Sequence, residues 1–385
     1  MHFPHYELAA YQAQYNSKAR GKLGAATLEL KHLNEILELA SPAQLREWQQ
    51  LKLSYAPERG SEALREMIAA NYPELDADNV VVFSSATEAL FCICHSEIKA
   101  GDHSSVIIPC YEPLAKIADS IGATVSSIAL KHDEDSSKWT LDDGEISEAV
   151  QASDQLFINF PHNPSGALIC QTQLDNIVAN CQRNGTRLIS DEVFNGLEHD
   201  TDTRLSPVAC LSESGVSIGS IAKPHGVGGV RIGWAVSQDK TLLARAVACR
   251  RSLSVCSGTT DEWLARLVLE HSEALREASI TRLKSHLALI EESLPLLAGK
   301  LKWTHPAAGC TAFPLLSRKG SNSEPENCAD YWAQRCLEET GNMLVPGRCF
   351  FGGDSEQFSG GIRLGYGLHS FPETWQAFVE FLQKA

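Results

Sequence analysis

Short apolar runs alternate with helical patterns through the middle of this chain, and this alternation constrains the fold more than any other feature. The runs lie at residues 80–83, 105–109, 155–159, 186–190 and 216–221. Residues 87–98 place apolar side chains at helical spacing, and helices are also predicted from residue 113 and over residues 171–184. Strands that alternate with helices are typical of α/β proteins. The chain is therefore predicted to form a mostly parallel sheet flanked by helices.

The C-terminal hundred residues show a different pattern, which indicates a second domain. A helical pattern covers residues 259–297, another lies near 327–340, and strand-like segments (NMLVPG, GGIRLGYG) precede a final helix. A chain of 385 residues, 43% of them hydrophobic, can bury the cores of two domains. We predict a large domain over 47–285. A small α+β domain is predicted from residues 1–46 together with 286–385. The N-terminal stretch is predicted to be helical to about residue 50. A hinge is predicted near 280–290.

The acidic charge balance excludes several classes of partner. The formal net charge is −15, so the chain has no bulk attraction for nucleic acid or for an anionic membrane. The chain has no run of about 18 apolar residues, which is the length that a helix needs to span a bilayer. The N-terminal segment lacks the basic start and apolar core of a signal peptide, so a cytoplasmic location is expected.

The twelve cysteines are spread along the chain without a CxxC pair. This spacing does not suit a metal site, and no metal is predicted. In a cytoplasmic chain of this length, such cysteines are expected to be reduced and mostly buried as small hydrophobic residues.

Four segments that follow predicted strands carry the unusual polar residues. The carboxyl ends of parallel strands form the edge where α/β proteins bind ligands, so these segments are expected to converge. The first is SSATEAL, in which Ser85, Ala86 and Thr87 open a helix. Backbone N–H groups at a helix N-terminus bind anions, but Ser-x-x-Glu is also an ordinary capping box.

The next two segments contain an asparagine and an aspartate. In NFPHNPSG, Pro164 biases Asn163 towards an extended backbone that aims its amide outward, although Asn-Pro is also common in turns. In SDEVF, Asp191 directly follows a strand. It is either a helix N-cap or a buried carboxylate that needs a cation.

The last segment, SIAKPHGVGGVRIGW, encloses one lysine among small residues. Desolvation of Lys223 would depress its pKa and make its amine a nucleophile for Schiff-base chemistry. Arg231 suits bidentate phosphate binding, and Ser220 adds a hydroxyl. Together the four segments supply groups for an aldehyde, a phosphate, a protonated ring nitrogen and a phenolate oxygen. Pyridoxal 5′-phosphate carries all four.

Three of these segments, in this order, resemble the motifs of the class I/II aminotransferases, which are fold type I pyridoxal-phosphate enzymes. NFPHNPSG is similar to N-x-P-x-N-P-[ST]-G, SDEVF to D-E-x-[YF], and the lysine segment to S-x-x-K followed by G-x-R-x-G. The resemblance covers nearly the whole chain. It implies transfer of an amino group between an amino acid and a 2-oxo acid.

The resemblance also implies a role for each matching residue. Lys223 would form the Schiff base and move a proton, Asp191 would pair with the ring nitrogen, and Asn163 would bond the ring oxygen. Tyr111, in PCYEP, matches the aromatic residue that stacks on the ring. The phosphate would be held by the helix-opening segment, Ser220 and Arg231.

Three further matches concern the substrate and the oligomer. Arg363, in GGIRLGYG, matches the arginine that binds the substrate α-carboxylate. Gly24, in KLGAAT, matches a backbone position that lines the substrate pocket. Tyr55, in SYAPERG, matches a tyrosine that reaches the phosphate of the neighbouring subunit, so a homodimer with shared active sites is expected.

Departures from the family pattern leave a second reaction open. Phe194 stands where most members have a tyrosine at the cofactor, and Ala222 replaces a hydroxyl residue before the lysine. A lyase or cyclase that eliminates a β- or γ-substituent is therefore the alternative. A non-catalytic DNA-binding regulator on this scaffold is a third possibility, which the acidic charge opposes.

The sequence does not identify the substrate side chain. The N-terminal segment, residues 250–262 and the partner subunit are candidates for lining its pocket. Glu112 and His225 either line the site or are solvated.

Overall fold

The computed structural model describes residues 4–317 and 328–384, and its elements alternate as the sequence pattern predicts. The helices are α1 (Glu7–Tyr15), α2 (Leu33–Leu37), α3 (Pro42–Gln49), α4 (Glu62–Ala69), α5 (Ala86–Glu97), α6 (Pro113–Ile121), α7 (Asp143–Ala152), α8 (Gln171–Asn184), α9 (Val208–Leu211), α10 (Ala222–His225), α11 (Lys240–Arg250), α12 (Thr259–Glu270), α13 (Ser272–Ser293), α14 (Ala329–Thr340) and α15 (Phe371–Lys384).

The strands form one large sheet and three small ones. They are β1 (Val80–Phe83), β2 (His103–Ile108), β3 (Thr124–Ala129), β4 (Lys131–Asp133), β5 (Lys138–Thr140), β6 (Gln155–Asn159), β7 (Arg187–Asp191), β8 (Val216–Ser220), β9 (Gly233–Ser237), β10 (Leu301–Lys302), β11 (Thr311–Ala312), β12 (Leu315–Leu316), β13 (Val345–Pro346) and β14 (Ile362–Gly365).

The large sheet has seven strands in the order β1-β9-β8-β7-β6-β2-β3. All neighbouring pairs from β8 to β3 are parallel, and β9 is antiparallel to both of its neighbours. Strands β1, β6 and β8 are buried along their whole length, as expected of a sheet covered on both faces. The predicted α/β architecture with a mostly parallel sheet is confirmed.

Two strands of this sheet escaped the sequence analysis. β3 is an edge strand whose residues are mostly half-exposed, so it lacks a continuous apolar run. β9 follows a glycine-rich segment and begins at Gly233 itself. A side chain at Gly233 would clash with the backbone nitrogen of Ala86, which explains a glycine at the start of a buried strand.

Two long helical predictions are corrected. The helix expected over 259–297 is divided at His271 into α12 and α13, and Pro295 lies in a 3₁₀ turn, Leu294–Leu297, that follows α13. The helical stretch expected to residue 50 is interrupted between α1 and α2. There Gly21 and Gly24 lie directly against Asn342 and Val345, an approach that a side chain would block. The predicted start of another helix, Asn327, lies outside the described residues.

Three buried apolar clusters form the core. Two pack around the large sheet, and the third joins the segment after α1 to residues 283–382. The division into domains at residues 46 and 285 stays a prediction, and α13 runs without interruption through residue 285. Among the described residues, no helix is long and apolar enough to cross a membrane.

Candidate active site

The predicted site residues meet in a cavity of about 680 Å³ at the carboxyl ends of β6, β7 and β8. This is the sheet edge at which the sequence analysis expected them to converge. The predicted residues that line the cavity are Ser85, Ala86, Thr87, Tyr111, Asn163, Asp191, Ser220, Lys223, Arg231 and Arg363.

Lys223 lies on α10, immediately after β8, and faces the cavity. Its Nζ donates a hydrogen bond of 2.6 Å to the backbone carbonyl of Ala26. Burial of the amine lowers the pKa of Lys223, and the Arg363 charge acts in the same direction, while Asp191 opposes it. A lowered pKa increases the fraction of neutral, nucleophilic amine.

Asp191 ends β7, and its side chain is almost fully buried. Burial raises the pKa of Asp191 from 3.8 to about 6, against the opposing effects of a hydrogen bond from the Val193 backbone N–H and of the Lys223 charge. A carboxylate in this position is stabilised by a cationic group placed against it.

Asn159 links the two motifs that hold Asn163 and Asp191. Its Nδ2 donates to the Asp191 carbonyl at 2.8 Å, and its Oδ1 accepts the Asn163 backbone N–H at 2.8 Å. The side chain is buried and therefore fixes the relative position of both loops. The sequence analysis missed this residue, although it is the first asparagine of NFPHNPSG.

Arg363 approaches the cavity from β14. Its Nε donates to the Gly24 carbonyl at 2.9 Å, and its Nη1 donates to Asn163 Oδ1 at 3.2 Å. Because Asn163 Oδ1 accepts this bond, Nδ2 is left to donate into the cavity. Burial lowers the pKa of Arg363 to about 10, so the guanidinium remains charged at neutral pH.

Another part of the cavity wall is built for an anion. Ser85 caps α5 through a 3.0 Å bond from the Glu88 N–H, so the N–H groups of Ala86 and Thr87 belong to the open first turn. Arg231 is exposed in this part and donates to the Gly228 carbonyl at 2.9 Å. Ser220 Oγ accepts the Ala222 N–H at 3.0 Å and holds the turn that carries the lysine.

Tyr111 forms a further part of the cavity wall. Its hydroxyl lies 3.4 Å from Thr87 Oγ1. Burial raises the pKa of Tyr111, so the side chain is neutral at ordinary pH and presents an uncharged ring.

Three predicted site residues do not line the cavity. Phe194 is fully buried in the apolar cluster that joins the segment after α1 to residues 283–382. The backbone carbonyl of Gly24 accepts a hydrogen bond from the Arg363 side chain. Tyr55 is 90% exposed, and its predicted contact with the phosphate of a neighbouring subunit stays a prediction.

Part of the remaining wall comes from segments that the sequence analysis left open. Helix α1 and the segment after it contribute Tyr6, Leu8, Ala9, Gln12, Asn16 and Lys22, and Glu112 also lines the cavity. His225 instead bonds the Ile221 carbonyl and Ser272 Oγ, and residues 250–262 are absent from the wall.

Comparison with known proteins agrees with this geometry. The sequence profile of the family "Aminotransferase class I and II" matches residues 25–368. The chain belongs to this family. The predicted cofactor, pyridoxal 5′-phosphate, is therefore confirmed. The identification of the family from the sequence motifs is confirmed as well.

The relatives of this family member carry out different reactions. Capreomycidine synthase from Streptomyces vinaceus is 29% identical over 82% of this chain and 78% of its own. A probable kynurenine–oxoglutarate transaminase from Saccharomyces cerevisiae is 25% identical over 75% and 70%.

Solved structures show the same fold. A PLP-dependent aminotransferase from Streptococcus suis superposes with a TM-score of 0.88 at 23% identity, over 100% of this chain and 98% of its own. The PLP-dependent cyclase OrfR superposes with a TM-score of 0.86 at 22% identity, over 100% and 97%.

The residues present fit pyridoxal phosphate as this family uses it. The open first turn of α5 and Arg231 suit its phosphate, and the buried carboxylate of Asp191 suits a protonated ring nitrogen. Asn163 Nδ2 suits the ring oxygen, and the Lys223 amine lies on the wall of the same cavity. Fold, site and family therefore agree on a PLP-dependent enzyme.

The buried Asp191 predicts an unusual pH dependence for the cofactor-free protein. Because the native pKa is raised from 3.8 to about 6, the native state binds more protons than the unfolded state between these pH values. Stability should therefore fall as pH rises from about 4 to about 6. Asp191→Asn should remove this fall and be more stable than the wild type by about 2–3 kcal/mol near pH 7.

Urea unfolding of both cofactor-free proteins between pH 4 and 7 measures this difference. Burial also raises the pKa of Glu192, to about 7. Glu192 is present in both proteins, so its main contribution to the pH dependence of stability cancels in the difference. A stability difference that stays constant with pH would contradict the assignment.

Proposed function

We propose that this protein is an aminotransferase that moves an amino group between an amino acid and a 2-oxo acid. The observation that carries the proposal is the single cavity that contains Lys223, Asp191, Asn163 and Arg363. Pyridoxal phosphate, when bound, supplies an aldehyde that reacts with amines and a ring that accepts electrons from the substrate Cα.

The chain's own residues then have separate tasks. Arg363 binds the substrate carboxylate, and its bond to the Gly24 carbonyl fixes the guanidinium before substrate arrives. Asp191 keeps the ring nitrogen protonated. Lys223, as a neutral amine, removes the proton from the substrate Cα and returns a proton during the second half of the reaction.

Transamination is tested by incubating the holoenzyme with an amino acid and a 2-oxo acid from separate panels. The expected result is a new amino acid formed from the 2-oxo acid, in equal amount to the amino acid consumed. Consumption without transfer to any 2-oxo acid would reject the proposal.

A cyclase or lyase reaction is the second candidate. It is favoured by the similarity to capreomycidine synthase and by Phe194, whose side chain has no hydroxyl to offer the cofactor. Release of ammonia, or of a cyclic amino acid, without any need for a 2-oxo acid would identify this reaction.

A homodimer is part of the proposal. Leu53 and Tyr55 are 83% and 90% exposed, and Leu253 and Val255 are also exposed. The two segments adjoin, because Arg251 forms an ion pair of 2.7 Å with Glu58 and Thr259 bonds the Ser54 carbonyl. Exposed apolar side chains on two adjoining segments are typical of an interface between subunits.

Tyr55→Phe tests whether this tyrosine reaches the phosphate of a second subunit. The loss of one hydrogen bond to a charged group, about 1.5 kcal/mol or more, should weaken cofactor binding about tenfold. Spectroscopic titration of the apoprotein measures the affinity, and Tyr331→Phe on α14 is the matched control. A monomer by sedimentation that binds cofactor at full affinity would disprove the shared site.

A further inference from the structure

Helix α1 is capped by a carboxylate from a distant part of the chain. Glu112 Oε1 accepts the Glu7 backbone N–H at 3.0 Å, and Oε2 accepts the Leu8 N–H at 2.9 Å. The Glu112 side chain is only 2% exposed and lies directly after Tyr111, at the start of α6. A negative charge at a helix N-terminus satisfies open N–H groups and complements the helix dipole.

Helix α1 depends on this cap because its own sequence supplies none. Tyr6, at the N-cap position, makes no capping bond, and the helix has only nine residues. Only Leu8 and Tyr11 are buried. A helix this short is marginal in water without tertiary contacts, so its position is set by what holds it.

A lysine completes the attachment. Lys116 Nζ lies 2.6 Å from Glu112 Oε1 and donates to the His5 carbonyl at 2.6 Å. We call Glu112, Lys116 and the backbone groups that they bind on residues 5, 7 and 8 the Glu112 latch. Glu7 of α1 also forms ion pairs with His5 and with Arg348, whose side chains are about two-fifths or more exposed, so each pair contributes little.

The latched helix presents one face to the cavity. Leu8, Gln12 and Asn16 follow one another at intervals of four residues, which aligns them along one side of the helix, and all three line the cavity. The same cavity is lined by Tyr111, which the family resemblance places at the cofactor ring, and by Arg363, which the proposed function places at the substrate carboxylate.

We propose that Glu112 is a positioning residue that selects the substrate by holding α1 against the cavity. The inference rests on the proposed function in so far as an amino acid occupies this space. Glu112 itself takes no part in the chemistry, because both of its oxygens are engaged by N–H groups and Lys116. The Leu8, Gln12 and Asn16 face then contacts the substrate side chain.

Glu112→Ala and Glu112→Gln in the holoenzyme test the latch, with Asp119→Asn as the control. Asp119 is an exposed carboxylate on the same helix, so the control removes the same charge. Hydrogen exchange at residues 5–16 should accelerate about 5–30-fold in Glu112→Ala, and less in Glu112→Gln, which keeps one acceptor oxygen. The cofactor absorbance should not change.

The kinetic signature separates positioning from chemistry. In Glu112→Ala, KM for the amino acid should rise in proportion to the loss of the closed position of α1, and kcat should change less than about twofold. Gln12→Ala should change the relative KM values of different amino acids while exchange in α1 stays at the wild-type rate. This second variant keeps the test open if Glu112→Ala does not fold.

Each other outcome overturns the inference. Unchanged exchange would show that Glu112 does not hold α1, and faster exchange with unchanged KM would show that the hold of Glu112 on α1 does not select the substrate. A fall in kcat alone would place Glu112 in the chemistry. Failure of transamination by the wild type is distinguishable, because exchange and cofactor absorbance are measured without turnover.

Discussion

Replacing Lys223 with alanine should abolish measurable turnover while the fold is retained. The substitution removes the amine that accepts and returns the substrate proton, and positioned acid–base groups contribute about 10²–10⁴-fold. It also removes the group that we propose binds the cofactor covalently. The variant breaks one hydrogen bond, to the Ala26 carbonyl, so the structural change should be small.

Steady-state kcat/KM and borohydride trapping followed by peptide mass spectrometry measure the two losses. Lys223→Arg is an informative companion, because it keeps a donor towards Ala26 but remains protonated and cannot act as a base. Lys240→Ala, at an exposed position on α11, is the control and should behave as the wild type. Turnover close to that of the wild type in Lys223→Ala would refute the assigned role.

Replacing Arg363 should cause the second-largest loss. A charge-assisted hydrogen bond contributes about 1.5–3 kcal/mol, so losing a bidentate pair to the substrate carboxylate should lower kcat/KM about 10²–10⁴-fold. Arg363→Lys keeps the charge but not the planar fork, and it cannot satisfy Gly24, Asn163 and a carboxylate together.

The comparison of amino acids with their amines tests the carboxylate assignment directly. The wild type should prefer an amino acid strongly over the matching amine without a carboxylate, and Arg363→Lys should lose most of this preference. Arg335→Lys, on α14, conserves the charge in the same way and should leave the ratio unchanged. A variant that retains the preference would place carboxylate binding elsewhere.

The sequence located most residues of the cavity wall that we assign to the cofactor because they lie in short motifs near strand ends. Asp191 ends a buried run, and Lys223 follows another, so the parallel topology alone brings them to one edge. The same reasoning missed Asn159, whose function depends on two bonds to separate loops and not on its position at the end of β6. The predicted roles of Phe194 and Tyr55 stay predictions, since motif matching located both residues without showing their surroundings.

The amino-acid sequence by itself determined five of the seven strands of the large sheet, the family and the cofactor, because apolar periodicity and compact motifs depend on neighbouring residues. Only the tertiary structure decided how the substrate side is built. The bond from Arg363 to Gly24 spans 339 residues and that from Glu112 to the Glu7 N–H spans 105. Contacts across such distances leave no local pattern, because they arise when separate elements pack together. The helix that faces the substrate was therefore visible only once the chain was folded.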